Sequence, residues 1–184
     1  MITNNPDSVG FIEYYDSTSN LYSNFKYGFS IKFPKDWSID KGNSEHTVIR
    51  GYQEDCAATF SVNVIEVDVV NITSFSMWKY YDENKTTFES QFRSGIENLL
   101  KSEIRDYRVK KVYIQNNEAL HRDFIYDLKH LDTDIEMKGA MYQITKVPYT
   151  YTIGLHVPFI FYKEDPDRFD SLINGFLFGF IKPN

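Results

Sequence analysis

The sequence has 184 residues, a formal net charge of −6 at pH 7, 42% hydrophobic residues and 25% charged residues. This length and composition are typical of one globular domain and exclude an intrinsically disordered chain. The basic residues are scattered, which excludes the basic stripe of a nucleic-acid-binding protein. No apolar run of about 18 residues is present, so no membrane-spanning helix is predicted. The one cysteine, Cys56, excludes an internal disulfide and a multi-cysteine metal site.

Residues 1–24 are polar and rich in turn-forming residues, with an apolar interruption at Val9, Phe11 and Ile12. The pattern predicts a flexible N-terminal lead with a short docking segment, followed by one folded domain over residues 25–184. This polar start is compatible with a protein whose export signal was removed and replaced by Met1. It fits a native cytosolic start equally well.

The first clear strand is YGFSIKFP, in which every second residue is aromatic or apolar. A period of two predicts a half-buried strand. Pro34 begins a predicted turn, and further strands are predicted over residues 46–52 and 57–67. The small and apolar neighbours of Cys56 predict a buried thiol on a strand.

After residue 73 the apolar spacing changes to three and four, which predicts helices. A short helix is expected at residues 75–79, capped by Thr73 or Ser74. A longer helix of about four turns follows, with Asn84 as its candidate N-cap. Gly95 weakens this helix by about 1 kcal/mol relative to alanine, unless it allows another element to approach closely. The apolar face of the longer helix consists of Phe88, Phe92, Ile96, Leu99 and Leu100.

Two hairpins are predicted downstream, with turns at Asn116-Asn117 and Pro148-Tyr149. Asp165-Pro166 predicts the start of a closing helix. Short connections between successive strands imply an antiparallel sheet whose faces the helices cover. The predicted fold class is therefore α+β, with an antiparallel sheet of about six strands between helices.

The string YGFSIKFPKDW, an aromatic-glycine-phenylalanine strand with a proline turn and Trp37, resembles the opening signature of the PsbP-like superfamily, the PsbP/Mog-type fold. The order of strand, long helix and hairpin that follows is similar, and the resemblance covers about residues 25–178. It implies an antiparallel sheet of about six strands sandwiched between helices. Members include photosystem II subunits and bacterial secreted or lipid-anchored proteins. Their known roles are mostly accessory or protein-binding, and no binding residue carries over.

The tripeptide His121-Arg122-Asp123 imitates the catalytic loop of protein kinases. Residue 128 is leucine where that motif requires asparagine, and no glycine-rich loop precedes it. His121 and Asp123 are predicted to share a strand face, where a histidine beside a carboxylate can act as a general base. No serine or cysteine nucleophile lies beside them in the sequence. We therefore predict an exposed polar sheet face and no catalytic residue.

A cluster of carboxylates surrounds a predicted turn at Asp127, Asp132, Asp134 and Glu136. Calcium sites require several carboxylate oxygens at close quarters, but this turn lacks the glycine and the spacing of an EF-hand. A solvated acidic turn is the favoured interpretation. The histidines His46, His130 and His156 lack the short spacings of zinc sites. No metal ligand and no cofactor-binding residue is predicted.

An aromatic-rich stretch in the last third of the chain is the candidate interaction surface. Clustered exposed aromatic residues are typical of interfaces, whereas packing beneath the helices is the alternative. The candidate patch consists of Tyr142, Tyr149, Tyr151, Phe159, Phe161 and Tyr162.

The sequence thus predicts a protein-interaction or accessory module with an unidentified protein partner. A bacterial cell-envelope or secreted location is favoured over the cytoplasm. The second hypothesis is a carrier of a small molecule or lipid, which requires a closed apolar cavity of several hundred cubic ångströms between sheet and helix. The third is a hydrolase, which requires a nucleophile within hydrogen-bonding reach of His121.

Overall fold

The computed structural model describes residues 12–42, 44–67, 75–130 and 133–179. These residues form eleven strands and four helices, in the order β1 (Glu13–Asp16), β2 (Leu21–Asn24), β3 (Phe29–Lys32), β4 (Ser38–Lys41), β5 (Thr47–Gln53), β6 (Ala58–Glu66), α1 (Met77–Glu83), α2 (Lys85–Leu100), β7 (Arg105–Ile114), β8 (Asn117–His130), β9 (Thr133–Lys146), β10 (Tyr149–Pro158), α3 (Phe159–Glu164), α4 (Pro166–Asn174) and β11 (Phe176–Phe178).

The strands form two antiparallel sheets. A seven-stranded sheet has the order β4-β5-β6-β10-β9-β8-β7, and a four-stranded sheet has the order β1-β2-β3-β11. The predicted α+β class and the antiparallel pairing are confirmed. The structure has more strands than the expected six because β1, β2, β4 and β11 are short and show no alternation of buried and exposed positions.

The main core lies between the two sheets. Phe29 of β3 is fully buried, stacks on Phe176 of β11 and meets the ring of Tyr151 of β10 edge-on. Phe33, on the same predicted strand face, packs edge-on against Phe60 of β6. Helix α4 closes this core with three buried apolar side chains. Strand β3, which lies in the YGFSIKFPKDW string, therefore contributes its apolar residues to the centre of the main core.

Helices α1 and α2 cover the opposite face of the seven-stranded sheet over β8 and β9. Successive side chains of a strand point to opposite faces, and β8 follows this rule. Leu120, Phe124 and Tyr126 contact the helix side, whereas Ala119 belongs to the main core. The molecule thus has three layers, with helices on both faces of the large sheet as predicted. No helix of the described ranges is long and apolar enough to span a membrane.

Residues 13–24, expected to belong to the N-terminal lead, form β1 and β2. The two strands pair in register from Glu13 opposite Asn24 to Asp16 opposite Leu21. Tyr22 is fully buried, and its hydroxyl donates a hydrogen bond to Glu13. Folded structure therefore begins before residue 25. Val9 and Phe11 of the expected docking segment lie outside the described residues.

The predicted turns and caps differ from the structure in small ways. The first hairpin turns at Gln115 and Asn116, which have positive φ, one residue before the predicted position. Helix α1 is capped by Ser76, whose side chain accepts from the Lys79 amide, and not by Thr73 or Ser74, which lie outside the described residues. The closing helix is confirmed, because Asp165 caps α4. Helix α3 was not predicted.

Candidate binding site

An apolar pocket lies between the seven-stranded sheet and helices α1 and α2, and we call it the helix-side pocket. Its volume is about 290 Å³. The sheet side of the pocket includes Ile65, Thr145 and Thr150. The helix side includes Met77, Tyr80 and Phe88.

The sheet wall of the pocket is one row of side chains across three strands. Ile65 of β6 pairs with Thr150 of β10, and Thr150 pairs with Thr145 of β9. The two threonine hydroxyls lie 2.9 Å apart and hydrogen bond to each other. One hydroxyl donates to the other, so only one O–H donor of the pair remains unused. This wall therefore offers a ligand mainly methyl groups and few polar contacts.

The helix wall is fixed to the sheet by Glu118 of β8. Its carboxylate accepts hydrogen bonds from the Ser76 hydroxyl at 2.5 Å and from the Trp78 amide at 2.9 Å, and it pairs with Lys111 at 2.7 Å. Burial acts to raise the pKa of Glu118, but Lys111, Ser76 and the Trp78 amide outweigh burial and lower that pKa. A carboxylate at the first turn of a helix is also favoured by the helix dipole. These contacts position α1 over the pocket.

Arg122 lies behind the pocket, on the helix side of β8. It is 2% exposed. Its Nη1 donates to Gln143 Oε1 at 3.0 Å, and its guanidinium lies 5.0 Å from the Phe88 ring centroid and 4.6 Å from that of Phe92. Sequence reasoning missed this residue. Arg122 alternates with the apolar residues Leu120, Phe124 and Tyr126, and this spacing could have shown that it lies on the same buried strand face.

His121 points to the other face of the sheet and is buried, not exposed as predicted. It is 5% exposed because Tyr142 stacks on its ring at 4.0 Å between centroids. Its Nε2 lies 3.3 Å from Asp123 Oδ1 without hydrogen-bond geometry, so neither ring nitrogen has a hydrogen-bond partner in the described ranges. Asp123 pairs with Lys138 at 2.6 Å. Burial acts to raise the pKa of Asp123, but His121 and Lys138 hold it well below its usual range.

The hydrolase hypothesis required a nucleophile beside His121. In the described part of the chain no hydroxyl or thiol hydrogen bonds to His121. Cys56 is buried as predicted, but it lies in the turn before β6 and not on a strand, and its thiol donates to Gln53 Oε1 at 3.2 Å. Burial raises the pKa of Cys56, which disfavours the nucleophilic thiolate. These residues form no acyl-transfer arrangement.

Two members of the acidic cluster, Asp127 and Glu136, form ion pairs. Arg105 Nη2 lies 2.6 Å from Asp127 Oδ1 and 3.5 Å from Glu136 Oε1. Asp132 lies outside the described residues. Among the residues that are described, no group of three or more histidine, cysteine or acidic side chains could hold a metal ion.

Comparison with protein-family models gives no match, and comparison with curated proteins gives none. Among solved structures, the chain is similar to cyanobacterial PsbP (CyanoP) from Synechocystis sp. PCC 6803. The TM-score is 0.61 at 12% sequence identity, over 95% of this chain and 98% of that chain. The protein has a PsbP-like fold.

Two further solved structures align less well. A protein of Bacteroides thetaiotaomicron VPI-5482 has a TM-score of 0.43 at 11% identity, over 71% of this chain and 38% of that chain. LpqN, involved in cell envelope biogenesis of Mycobacterium tuberculosis, has a TM-score of 0.45 at 7% identity, over 80% and 81% of the two chains. At these TM-scores neither likeness adds to the assignment of the fold.

The aromatic residues of the candidate interaction patch differ in their exposure to solvent. Tyr151 is buried, and its hydroxyl donates to the Tyr27 carbonyl. Tyr149 meets the Tyr27 ring edge-on, and Tyr142 stacks on His121. The other three lie on α3, where Phe161 is exposed while Phe159 and Tyr162 are half-buried. The six rings therefore do not form one continuous surface.

Proposed function

We propose that this protein is a non-catalytic binding protein that holds a small apolar ligand in the helix-side pocket. The observation that carries the proposal is the apolar volume of about 290 Å³ between sheet and helices. An engineered apolar cavity of about 150 Å³ is large enough for benzene, and natural ligand pockets begin at about 300 Å³. The carrier hypothesis required a closed apolar cavity between sheet and helix. The pocket lies in that place but is partly open to solvent, because its lining residue Ile65 is 45% exposed.

The chemistry of the walls supports an apolar ligand. Aliphatic and aromatic side chains dominate, and the threonine pair Thr145 and Thr150 is internally hydrogen bonded. Removing apolar surface from water is the main driving force for filling such a pocket. A ligand that needs many polar contacts would find few there.

The test is a titration with N-phenyl-1-naphthylamine, a neutral probe that fluoresces in apolar surroundings. We expect a saturable, one-to-one increase for the native protein. Ile65→Trp places an indole in the pocket and should weaken binding about tenfold or more, equivalent to about 1.4 kcal/mol. The matched control is Ile160→Trp, at an exposed isoleucine of α3 that does not line the pocket. No saturable signal, or equal binding by both variants, would contradict the proposal.

A second candidate is the protein-interaction or accessory role at the cell envelope that the resemblance implies. A fold by itself does not transfer a role. The observation that favours this candidate is α3, where Ile160 is 64% exposed and Phe161 is 37% exposed. If α3 is the docking surface, replacing both residues by glutamate should abolish retention of a specific partner and leave probe binding unchanged.

A further inference from the structure

Arg122 is a buried cation in a layer that is otherwise mostly apolar. Its side chain lies between the sheet and α2, enclosed by the rings of Phe88 and Phe92. Aromatic faces stabilise a guanidinium by roughly 1–2 kcal/mol. Desolvating an ion costs several kcal/mol, so ring contacts alone do not balance the charge.

The guanidinium lacks a carboxylate partner. Within the described ranges Arg122 forms no ion pair, and its Nε has no hydrogen-bond partner. The better exposed arginines of the same molecule behave differently, because Arg105 and Arg168 each pair with two carboxylates. Glu89 is close enough to interact electrostatically with Arg122, but its carboxylate accepts a hydrogen bond from the Tyr81 hydroxyl. The most buried of these three cations is thus the one without an anion.

Two of the residues that contact Arg122 connect it to the helix-side pocket. Phe88 and Gln143 both touch Arg122 and both line the pocket. Arginine can only donate, so the oxygen of the Gln143 amide must face it. The amide nitrogen is then left as the donor. At this end the pocket therefore combines an N–H donor with a positive charge directly behind the wall.

We infer that the ligand of the helix-side pocket is an apolar molecule that ends in a carboxylate, with the carboxylate at the Gln143 end. The inference rests on the proposed function and names the ligand class. The carboxylate accepts from the Gln143 amide, and Arg122 supplies the opposite charge. The apolar body fills the space between Ile65, Met77 and Phe88. A hydrogen bond to a charged group of this kind strengthens binding about tenfold to a hundredfold.

The experiment compares decanoate with its uncharged methyl ester by isothermal titration calorimetry on the full chain at neutral pH. We expect decanoate to bind at least about tenfold more tightly than the ester. In Arg122→Met this preference should disappear while the ester binds as before. Replacing a buried charge by an apolar side chain of similar length is usually tolerated. The control is Arg50→Met, which removes a positive charge at a half-buried arginine of β5. It should leave the affinities for decanoate and for the ester unchanged.

Each outcome is decisive. Equal binding of acid and ester by the native protein overturns the carboxylate assignment and leaves the proposed function standing. Binding of neither compound, nor of N-phenyl-1-naphthylamine, overturns both. If Arg122→Met loses both ligands, Arg122→Lys, which retains the charge, decides. A preference for decanoate in Arg122→Lys supports the inference, and loss of that preference overturns it.

Discussion

His156 of β10 is a titratable side chain that is packed between the sheet and α2. Its Nδ1 lies 3.0 Å from the Tyr126 hydroxyl, and the rings of Phe124 and Tyr126 meet it edge-on. Burial lowers the pKa of His156 to about 4, from a usual value of 6.5. Between these values the unfolded chain binds a proton that the folded protein does not, so stability rises with pH across this interval.

We expect the contribution of His156 to the free energy of unfolding to be fully present above its unfolded pKa. This contribution, which is at most about 3 kcal/mol, should be lost as the pH falls through the folded pKa of His156. Urea unfolding at a series of pH values is the measurement. His156→Gln should flatten the acid side of the profile, whereas His46→Gln, at an exposed histidine, should not change it. Parallel profiles for the native protein and His156→Gln would refute this assignment.

At the scale of single elements, two glycines have opposite roles. Gly95 lies on the exposed side of α2, and a β-carbon there would meet no neighbouring atom. The close-approach exception considered from the sequence therefore does not apply to it. Gly139 of β9 pairs with Phe124 of β8, and a β-carbon there would collide with the Phe124 ring. The ring lies over the glycine, which is why that strand position cannot hold a larger residue.

The same substitution should accordingly have opposite signs at these two glycines. Gly95→Ala should raise the free energy of unfolding by about 1 kcal/mol, the difference in helix propensity. Gly139→Ala should lower it by about 1–3 kcal/mol through overpacking. Chemical denaturation of both variants measures these changes. Two shifts of the same sign would show that one of the two environments is wrongly described.

At the scale of the whole molecule, the short strands β1 and β2 are part of the main core. Tyr22 is fully buried, and its ring lies 5.9 Å from that of Phe29, which lies on β3 of the same four-stranded sheet. If this segment were only a flexible lead, its side chains would add little to stability. In the structure Tyr22 is instead one of the buried residues of the main core.

Tyr22→Ala should therefore lower the free energy of unfolding by about 3–5 kcal/mol, as for other large aromatic residues removed from a core. The matched control is Tyr52→Ala, at an exposed tyrosine of β5, which should stay within about 0.5 kcal/mol of the native protein. Equal, small effects of the two variants would favour the flexible lead that the sequence predicted.

The sequence was informative where a pattern repeats within one element. The apolar alternation from Tyr27 to Phe33, the cap at Asp165 and the helix around Phe92 were all recognisable, because their periods and turn residues are local. The four-residue strands β1 and β2 show no alternation of buried and exposed positions, so their residues looked like a lead. The pocket could be proposed as a hypothesis, but its lining residues come from five separate segments and could not be named.

The sequence by itself determined the α+β class, the antiparallel hairpins and the resemblance to PsbP-like proteins, because each depends on spacing along the chain. Only the tertiary structure decided what the tripeptide His121-Arg122-Asp123 does. Neighbouring strand residues point to opposite faces, so His121 lies beneath Tyr142 while Arg122 lies behind the helix-side pocket. Which elements cover each face of β8 depends on segments that are distant in the chain. The burial of the Arg122 charge beneath α2 therefore could not be predicted from the tripeptide.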